Sequence, residues 1–303
     1  MAFSFSRRDT CPTCHSPGAA PIVDLPFDRP PLTTYLHAFY GGRVSPEALV
    51  AGRYALVDCT NCGLLYQRDV PGPELLRFLY SDGILLDGDA GRAARGLQVR
   101  RGYAFQVEEM LKYFGAHPAD VRVLDYGMGW GNWLQMAQAY GCHAAGADLS
   151  GTRAGEPAPG IEVLAHDELP AEGFDFVNTE QVFEHLVDPA PTGDRLVAAL
   201  RPGGILRISV PNGGNVRALL ADPDWSAPKD SPCSLNAVAP LEHLNCFTHE
   251  SLKWLGEQRL RLVPMRYPTR QFFEPWERIR FAASALLHAL RRPKGTMLLF
   301  RKP

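Results

Sequence analysis

From Val121 to the end of the chain, short apolar runs alternate with segments of helical period. The runs VRVLDYG, HAAGADLS, IEVLAH, FDFVNTE, GILRISVP, LRLVPMRY and GTMLLFRK are each long enough for one strand. This alternation predicts a parallel sheet with crossover helices, and seven strands fill one doubly wound α/β sheet. Upstream the pattern changes. Positions 1–70 carry no long helical periodicity, and RYALVDC and GLLYQRDV alternate as the arms of an antiparallel hairpin. PGPELLRFLY opens a helix, with Pro71 and Pro73 at its entrance. The Gly- and Asp-rich SDGILLDGDAGRAARG reads as a linker or mobile lid. A helix follows over Tyr103–Phe114, with Phe105, Met110, Leu111 and Phe114 on its apolar side.

These changes of pattern divide the chain into a small β module over 1–72, a helical linker or lid over 73–118 and an α/β domain over 119–303. Residues 212–243 are too long and Pro-rich for a simple connection, and loops of that length are often binding loops or lids. In FFEPWERIRFAASALLHALRRP, Pro275 starts a helix whose stripe is Trp276, Ile279, Ala283, Leu286 and Leu290. Packing on the sheet is the plain reading, and a basic amphipathic helix on a membrane or partner is the alternative.

The 303 residues are 46% hydrophobic and 21% charged, an ordinary globular composition. No apolar run approaches the roughly 20 residues of a transmembrane helix, and the first residues lack the apolar stretch of a signal peptide. A soluble, cytoplasmic protein is expected. The net charge of −2 and a near-neutral stretch over 1–70 do not suit a dedicated nucleic-acid binder, so no nucleic-acid partner is expected. The charge is unevenly spread, net −11 over 104–190 and net +9 over 253–303. Ordinary solvated faces account for such a split, as would a basic wall facing an anionic substrate or membrane.

Of 7 cysteines, four form two C-x-x-C pairs, Cys11/Cys14 and Cys59/Cys62. Each pair presents two thiolates from one tight turn, and four thiolates close the tetrahedral shell of a structural Zn²⁺. Gly63 follows the second pair, where a residue of positive φ is wanted. The 44 residues between the pairs exceed a compact zinc ribbon, and His15 is a possible substitute ligand. Disulfides are disfavoured in the cytoplasm.

VLDYGMGWGNW carries the most chemistry. An apolar strand ends at Asp125, and Gly127, Gly129 and Gly131 then turn the chain into a helix. Ligands of open α/β sheets sit beyond the carboxyl ends of strands, and a side chain on this turn would collide with a ligand packed against the backbone. A dinucleotide fingerprint G-x-G-x-x-G counted from Gly127 needs a glycine at position 132, which is Asn132. What remains is D-x-G-x-G-x-G followed by Asp148 at the end of the next strand.

In these residues the chain resembles the class I S-adenosylmethionine-dependent methyltransferases. FDFVNTEQVFEHLVDP, LRPGGILRISVPN and PLEHLNCFTHESLKWL continue the resemblance in family order over roughly 120–303. It implies a Rossmann-like methyltransferase sheet that holds S-adenosylmethionine through Asp125, Gly127, Gly129 and Gly131. Asp148 would take the ribose hydroxyls, with further contacts at Leu149, Asp167 and Glu180. The zinc-containing methyltransferases of nucleotide-linked deoxysugars are similar in joining a four-Cys module to this core and in using a Glu-His pair as acid/base. That pair is Glu242 and His243 here. Those enzymes also carry a further C-terminal domain, whereas this sequence ends at its seventh strand, and their tyrosine-rich pattern is reduced to FLYSDG with Tyr80.

Methyl transfer to oxygen or carbon needs placement of the acceptor and a general base, for which His is suited near neutral pH. His185 in FEHLVDP and His243 in LEHLNCF are the candidates, each with a plain packing role as its alternative. A small-molecule or saccharide acceptor, anionic or neutral, is expected, with oxygen methylation at least as well supported as carbon methylation. The competing readings are an RNA methyltransferase whose zinc module grips nucleic acid and a cofactor-binding scaffold without catalysis.

Overall fold

A computed structural model describes residues 2–80, 89–148, 159–229, 231–266 and 295–303. The chain opens with β1 (Phe5–Arg7), β2 (Val23–Pro26), α1 (Leu32–Tyr40), β3 (Arg53–Asp58), β4 (Leu65–Gln67), β5 (Asp69–Pro71) and α2 (Pro73–Phe78). Next come α3 (Asp89–Phe114), β6 (Arg122–Tyr126), α4 (Asn132–Ala139), β7 (His143–Ala147), β8 (Glu162–Leu164) and β9 (Phe174–Glu180). The last third holds α5 (Pro189–Ala199), β10 (Leu200–Pro211), α6 (Val216–Leu219), β11 (Asn245–Cys246), α7 (His249–Trp254), β12 (Val263–Met265) and β13 (Gly295–Arg301). Two compact units result. Unit 1 gathers 1–88, 181–194 and 210–260, and unit 2 gathers 89–180, 195–209 and 261–303.

Unit 2 is built on the sheet β12-β13-β10-β9-β6-β7-β8. All seven strands foreseen in the apolar pattern are present. From β10 to β8 neighbours run parallel, as expected, but β12 pairs antiparallel with β13, so the sheet is mixed at that edge. Pro264 lies in this edge strand, where a missing N–H costs no ladder bond. The central strands are mostly apolar, because a parallel strand is covered on both faces. Strand order reverses on either side of β6, which gives the sheet a switch point between β6 and β9. Val107 and Met110 of α3 join Val123, Trp133, Leu134 and Phe176 in the core. Phe105, expected on the apolar side of that helix, is exposed, since Val107 and Met110 define the buried face. The second half of the expected linker, from Asp89, is already helical, and residues 81–88 lie outside the described residues. So does the C-terminal segment with its stripe from Trp276 to Leu290. No helix among the described residues is long and apolar enough to cross a membrane.

Unit 1 carries the antiparallel sheet β11-β4-β3-β2 and the ribbon β1-β5. The β3–β4 pair is the expected hairpin, with Val57 opposite Tyr66, but β3 is buried on both faces instead of alternating. The run GLLYQRDV does not stay one strand. It breaks after Gln67, and β5 turns away to pair with β1. In α1, Leu32, Leu36 and Tyr40 stack one turn apart into the core, and Gly41 ends the helix in the left-handed conformation. Val216, Leu235, Val238 and Leu241, from the long segment after β10, are buried in the same cluster as Phe27, Tyr54 and Leu56. That segment is anchored by packing along much of its length.

Candidate functional site

The glycine turn of unit 2 is made by backbone conformation. Gly127, Gly129 and Gly131 have φ of 82°, 51° and 67°, values that a side chain disfavours. The turn is tied to β7, where the Ala147 carbonyl accepts from the N–H groups of Gly127 (2.7 Å) and Met128 (3.2 Å). Gly131 caps α4, and a side chain at Gly129 would meet nothing within 4 Å, so the turn presents an open cradle. Under it, Gly146 lets Met128 and Leu134 sit on β7; a Cβ there would lie 2.1 Å from the Met128 sulfur.

Asp148 follows β7 and accepts from the Gly129 N–H at 2.8 Å through one carboxylate oxygen. Asp167 is exposed, and both Asp148 and Asp167 act on the Tyr126 phenol, whose pKa is pushed up mainly by burial. Leu149 lies outside the described residues.

Asp125 is buried, and burial pushes its pKa up to about 7. It belongs to a polar rung across three strands. Asp125, Asn178 and Arg207 are paired in register; Asn178 donates to Asp125 at 2.8 Å, and Arg207 donates to Asn178 at 2.6 Å and to Glu180 at 3.2 Å. The sequence reading named Asp125 and Glu180 but missed Asn178 and Arg207. Their signal was present: two polar residues in otherwise apolar central strands.

Unit 1 brings the other candidates together. His185 and His243 have ring centroids 4.8 Å apart, and the Tyr80 ring lies 6.0 Å from His185. His243 is buried, and burial, then the neighbouring His185, push its pKa well below the usual value, so the ring is neutral. Its Nδ1–H donates to the Asn236 carbonyl, which leaves the lone pair on Nε2. His185 is fixed in the same way, Nδ1–H donating to the Glu242 carbonyl at 3.0 Å. Asn236 thus holds the His243 ring at Nδ1, Glu242 holds His185 through its main chain, and the Glu242 carboxylate raises the pKa of the already buried Tyr40 phenol.

The segments that carry these histidines are held by polar side chains the sequence reading did not single out. Gln67 donates to the Ala239 and His243 carbonyls (3.1 and 3.0 Å), and Tyr40 to that of Pro240 (3.1 Å). Asn245 donates to the carbonyls of Phe183 and Leu186 (3.0 and 2.7 Å). Arg8 reaches the carbonyls of Gln67, Leu244, Leu186 and Val187, and burial pushes its pKa down to about 10. Gln67, a polar residue buried in β4, is the one signal of these that the pattern carries.

The four cysteines of the two pairs converge in unit 1, their sulfurs all within 4.8 Å of one another. Cys11 and Cys62 stand at 3.6 Å and Cys14 and Cys59 at 3.4 Å, too far for disulfides at about 2.05 Å. The two turns are built alike: His15 and Gly63, both of positive φ, return their N–H groups to the carbonyls of Cys11 and Cys59. His15 is exposed and outside the cluster. The Cys62 S–H lowers the pKa of Cys11, as a pair of thiols sharing a proton should. The donor set fits a tetrahedral, thiolate-bound Zn²⁺.

No curated protein matches the chain. It is similar to a solved S-adenosylmethionine-dependent methyltransferase from Mesorhizobium loti, at 20% identity over 62% of this chain and 93% of that one, with a TM-score of 0.42. A methyltransferase of the same dependence from Archaeoglobus fulgidus is similar at 17% identity over 76% of this chain and 100% of that one, with a TM-score of 0.43. Residues 97–259, more than half of the chain, match a family model described as a methyltransferase domain. That stretch runs from α3 through the glycine turn, the central strands and both histidines, and the chain belongs to this methyltransferase-domain family.

Proposed function

We propose that the chain methylates a small-molecule or saccharide acceptor, with His243 as the general base. The observation that carries this reading is the neutral, tautomer-locked His243 ring beside His185. Its Nδ1–H is committed to Asn236, so Nε2 is the atom that can take a proton. The cofactor would be held by the glycine turn, with Asp148 on its ribose and the open cradle at Gly129 against its methionine part. When bound, it supplies an electrophilic methyl group. The chain's own part would be to hold the acceptor and take its proton at Nε2 of His243, with His185 beside that ring and Tyr80 beside His185. Unit 1 would owe its shape to one structural Zn²⁺ on Cys11, Cys14, Cys59 and Cys62.

The test pairs two measurements on the full chain. Calorimetry with S-adenosylmethionine should show binding both in the native protein and in His243→Ala, within about threefold. Turnover of the acceptor by His243→Ala should fall by about 10²–10⁴, the usual cost of losing a positioned base. Near-native turnover in His243→Ala with loss in His185→Ala would exchange the two roles, and no loss in either would remove the base from the mechanism.

A further inference from the structure

Two histidines and a carboxylate in unit 1 form a constellation that proton transfer alone does not require. Glu184, His185 and His243 each offer one ligand atom, and these atoms all lie within 4.8 Å of one another. Glu184 Oε1 and His185 Nε2 are 3.8 Å apart. Glu184 is 1% exposed and the His185 side chain 22%, so the group is sheltered yet open on one side. Both rings donate Nδ1–H to a main-chain carbonyl, His185 to Glu242 and His243 to Asn236. Metal-binding imidazoles are usually arranged this way, with one nitrogen fixed by an outer partner and the other presented as a lone pair.

The frame that carries the three is rigid. The Asn245 N–H donates to the Glu184 carbonyl at 3.0 Å, and its side chain ties Phe183 and Leu186 to the strand that follows His243. Ligand bonds of about 2.0–2.2 Å would need the three atoms to close by roughly 1 Å, within the reach of side-chain rotation.

We propose that Glu184, His185 and His243 constitute a second metal site, of His₂Glu type, for a divalent transition-metal ion such as Zn²⁺. Two imidazoles and one carboxylate suit Zn²⁺, Co²⁺ or Ni²⁺ and not Mg²⁺ or Ca²⁺, which prefer oxygen ligands throughout. The site is chemically distinct from the four-thiolate cluster. It also has a functional consequence that rests on the reading of His243 as the base: an ion bound to Nε2 takes the lone pair that would accept the acceptor's proton. Such an ion inhibits.

The experiment uses the full chain with its cysteine site filled. Zn²⁺ is added in steps, bound ion is measured by equilibrium dialysis and metal analysis, and turnover is followed in parallel. One further equivalent should bind. Glu184→Gln, which keeps the shape of the side chain, and separately His185→Asn should each weaken that equivalent at least tenfold while the cysteine-bound ion stays. Turnover of the native chain should fall in step with occupancy and return when a weak chelator such as citrate removes the ion. A chain that takes up no second equivalent, or one whose uptake neither substitution changes, overturns the site. A second equivalent lost in both variants but without effect on turnover supports the site and removes His243 from the base role instead.

Discussion

The two units solve the same problem, placing polar chemistry in a folded chain, by opposite means. In unit 2 the cradle is made of main chain: three glycines of positive φ, two N–H groups on the Ala147 carbonyl and one on Asp148. The side chains beneath it are an apolar core crossed by the one polar rung of Asp125, Asn178 and Arg207. In unit 1 the histidines sit on irregular segments, and polar side chains far away in sequence hold those segments by their carbonyls. Backbone chemistry tolerates side-chain change away from its glycines. Chemistry held by side chains makes single polar residues, some of them near the N-terminus, decisive for residues almost two hundred positions later.

The largest effect should follow from removing the thiolate cluster. Cys59→Ser leaves three thiolates, and metal affinity at such sites is folding free energy, apparent values being about 10–16 kcal/mol. The variant should lose its Zn²⁺ on metal analysis and become protease-sensitive over 1–70, while unit 2 keeps its sheet and binds S-adenosylmethionine. A variant that retains protection over 1–70 without metal would show that the apolar core of unit 1 suffices.

Next comes Arg8→Met, which keeps an unbranched apolar stem but removes the donors to Gln67, Leu186, Val187 and Leu244. The Leu186 and Leu244 carbonyls keep donors in the Asn245 side chain and the Gln67 N–H, so the loss falls mainly on Gln67 and Val187, and a net cost of about 1–3 kcal/mol is expected. Denaturant unfolding reads that loss. Kinetics sharpens it: kcat should fall with cofactor affinity unchanged, because the Arg8 contacts lie in unit 1 and include the segments that carry the histidines. A parallel loss of cofactor affinity would break the proposed contrast between the units.

This contrast also explains what could be read from the chain in advance. The seven strands and the glycine turn are local and periodic, so an apolar run and three spaced glycines announce them. The cysteine pairs were legible because each repeats one residue type at one short spacing. Nothing local announces that 181–194 and 210–260 pack with the first 88 residues, since the contacts that join them, such as Arg8 to Val187 and Tyr40 to Pro240, are single polar residues without a period. The antiparallel pairing of β12 with β13 was hidden for a related reason: strand direction is a property of the path between strands and leaves no mark on their composition. Asn178 and Arg207 stood in plain view as polar residues inside central strands, and their partner Asp125 shows why they are there.

A smaller effect should come from Asp148→Ala. Its carboxylate holds the Gly129 N–H and is the proposed ribose ligand, so calorimetry should show S-adenosylmethionine binding weakened by about 1–3 kcal/mol. Turnover at saturating cofactor should change little, which would set this residue apart from His243. Unchanged affinity would move the ribose to another acceptor, with Asp167, which also acts on the Tyr126 phenol, the next candidate.

The smallest effect on stability is expected at the turn itself, and it separates two reasons for a glycine. Gly146→Ala places a methyl group 2.1 Å from the Met128 sulfur and 2.6 Å from Leu134, so the core must shift, at a cost of about 1–3 kcal/mol typical of overpacking. Gly129→Ala meets no protein atom within 4 Å and suffers only the left-handed conformation at φ 51°, about 1 kcal/mol. Thermal unfolding should therefore rank Gly146→Ala as the more destabilised variant. Cofactor binding should reverse the ranking, because the methyl group at Gly129 fills the cradle in which the cofactor is proposed to lie, whereas the one at Gly146 lies beneath it. If Gly129→Ala binds S-adenosylmethionine as tightly as the native chain does, the open space at this turn is solvent, and the cofactor must rest on Gly127 and Gly131 without it.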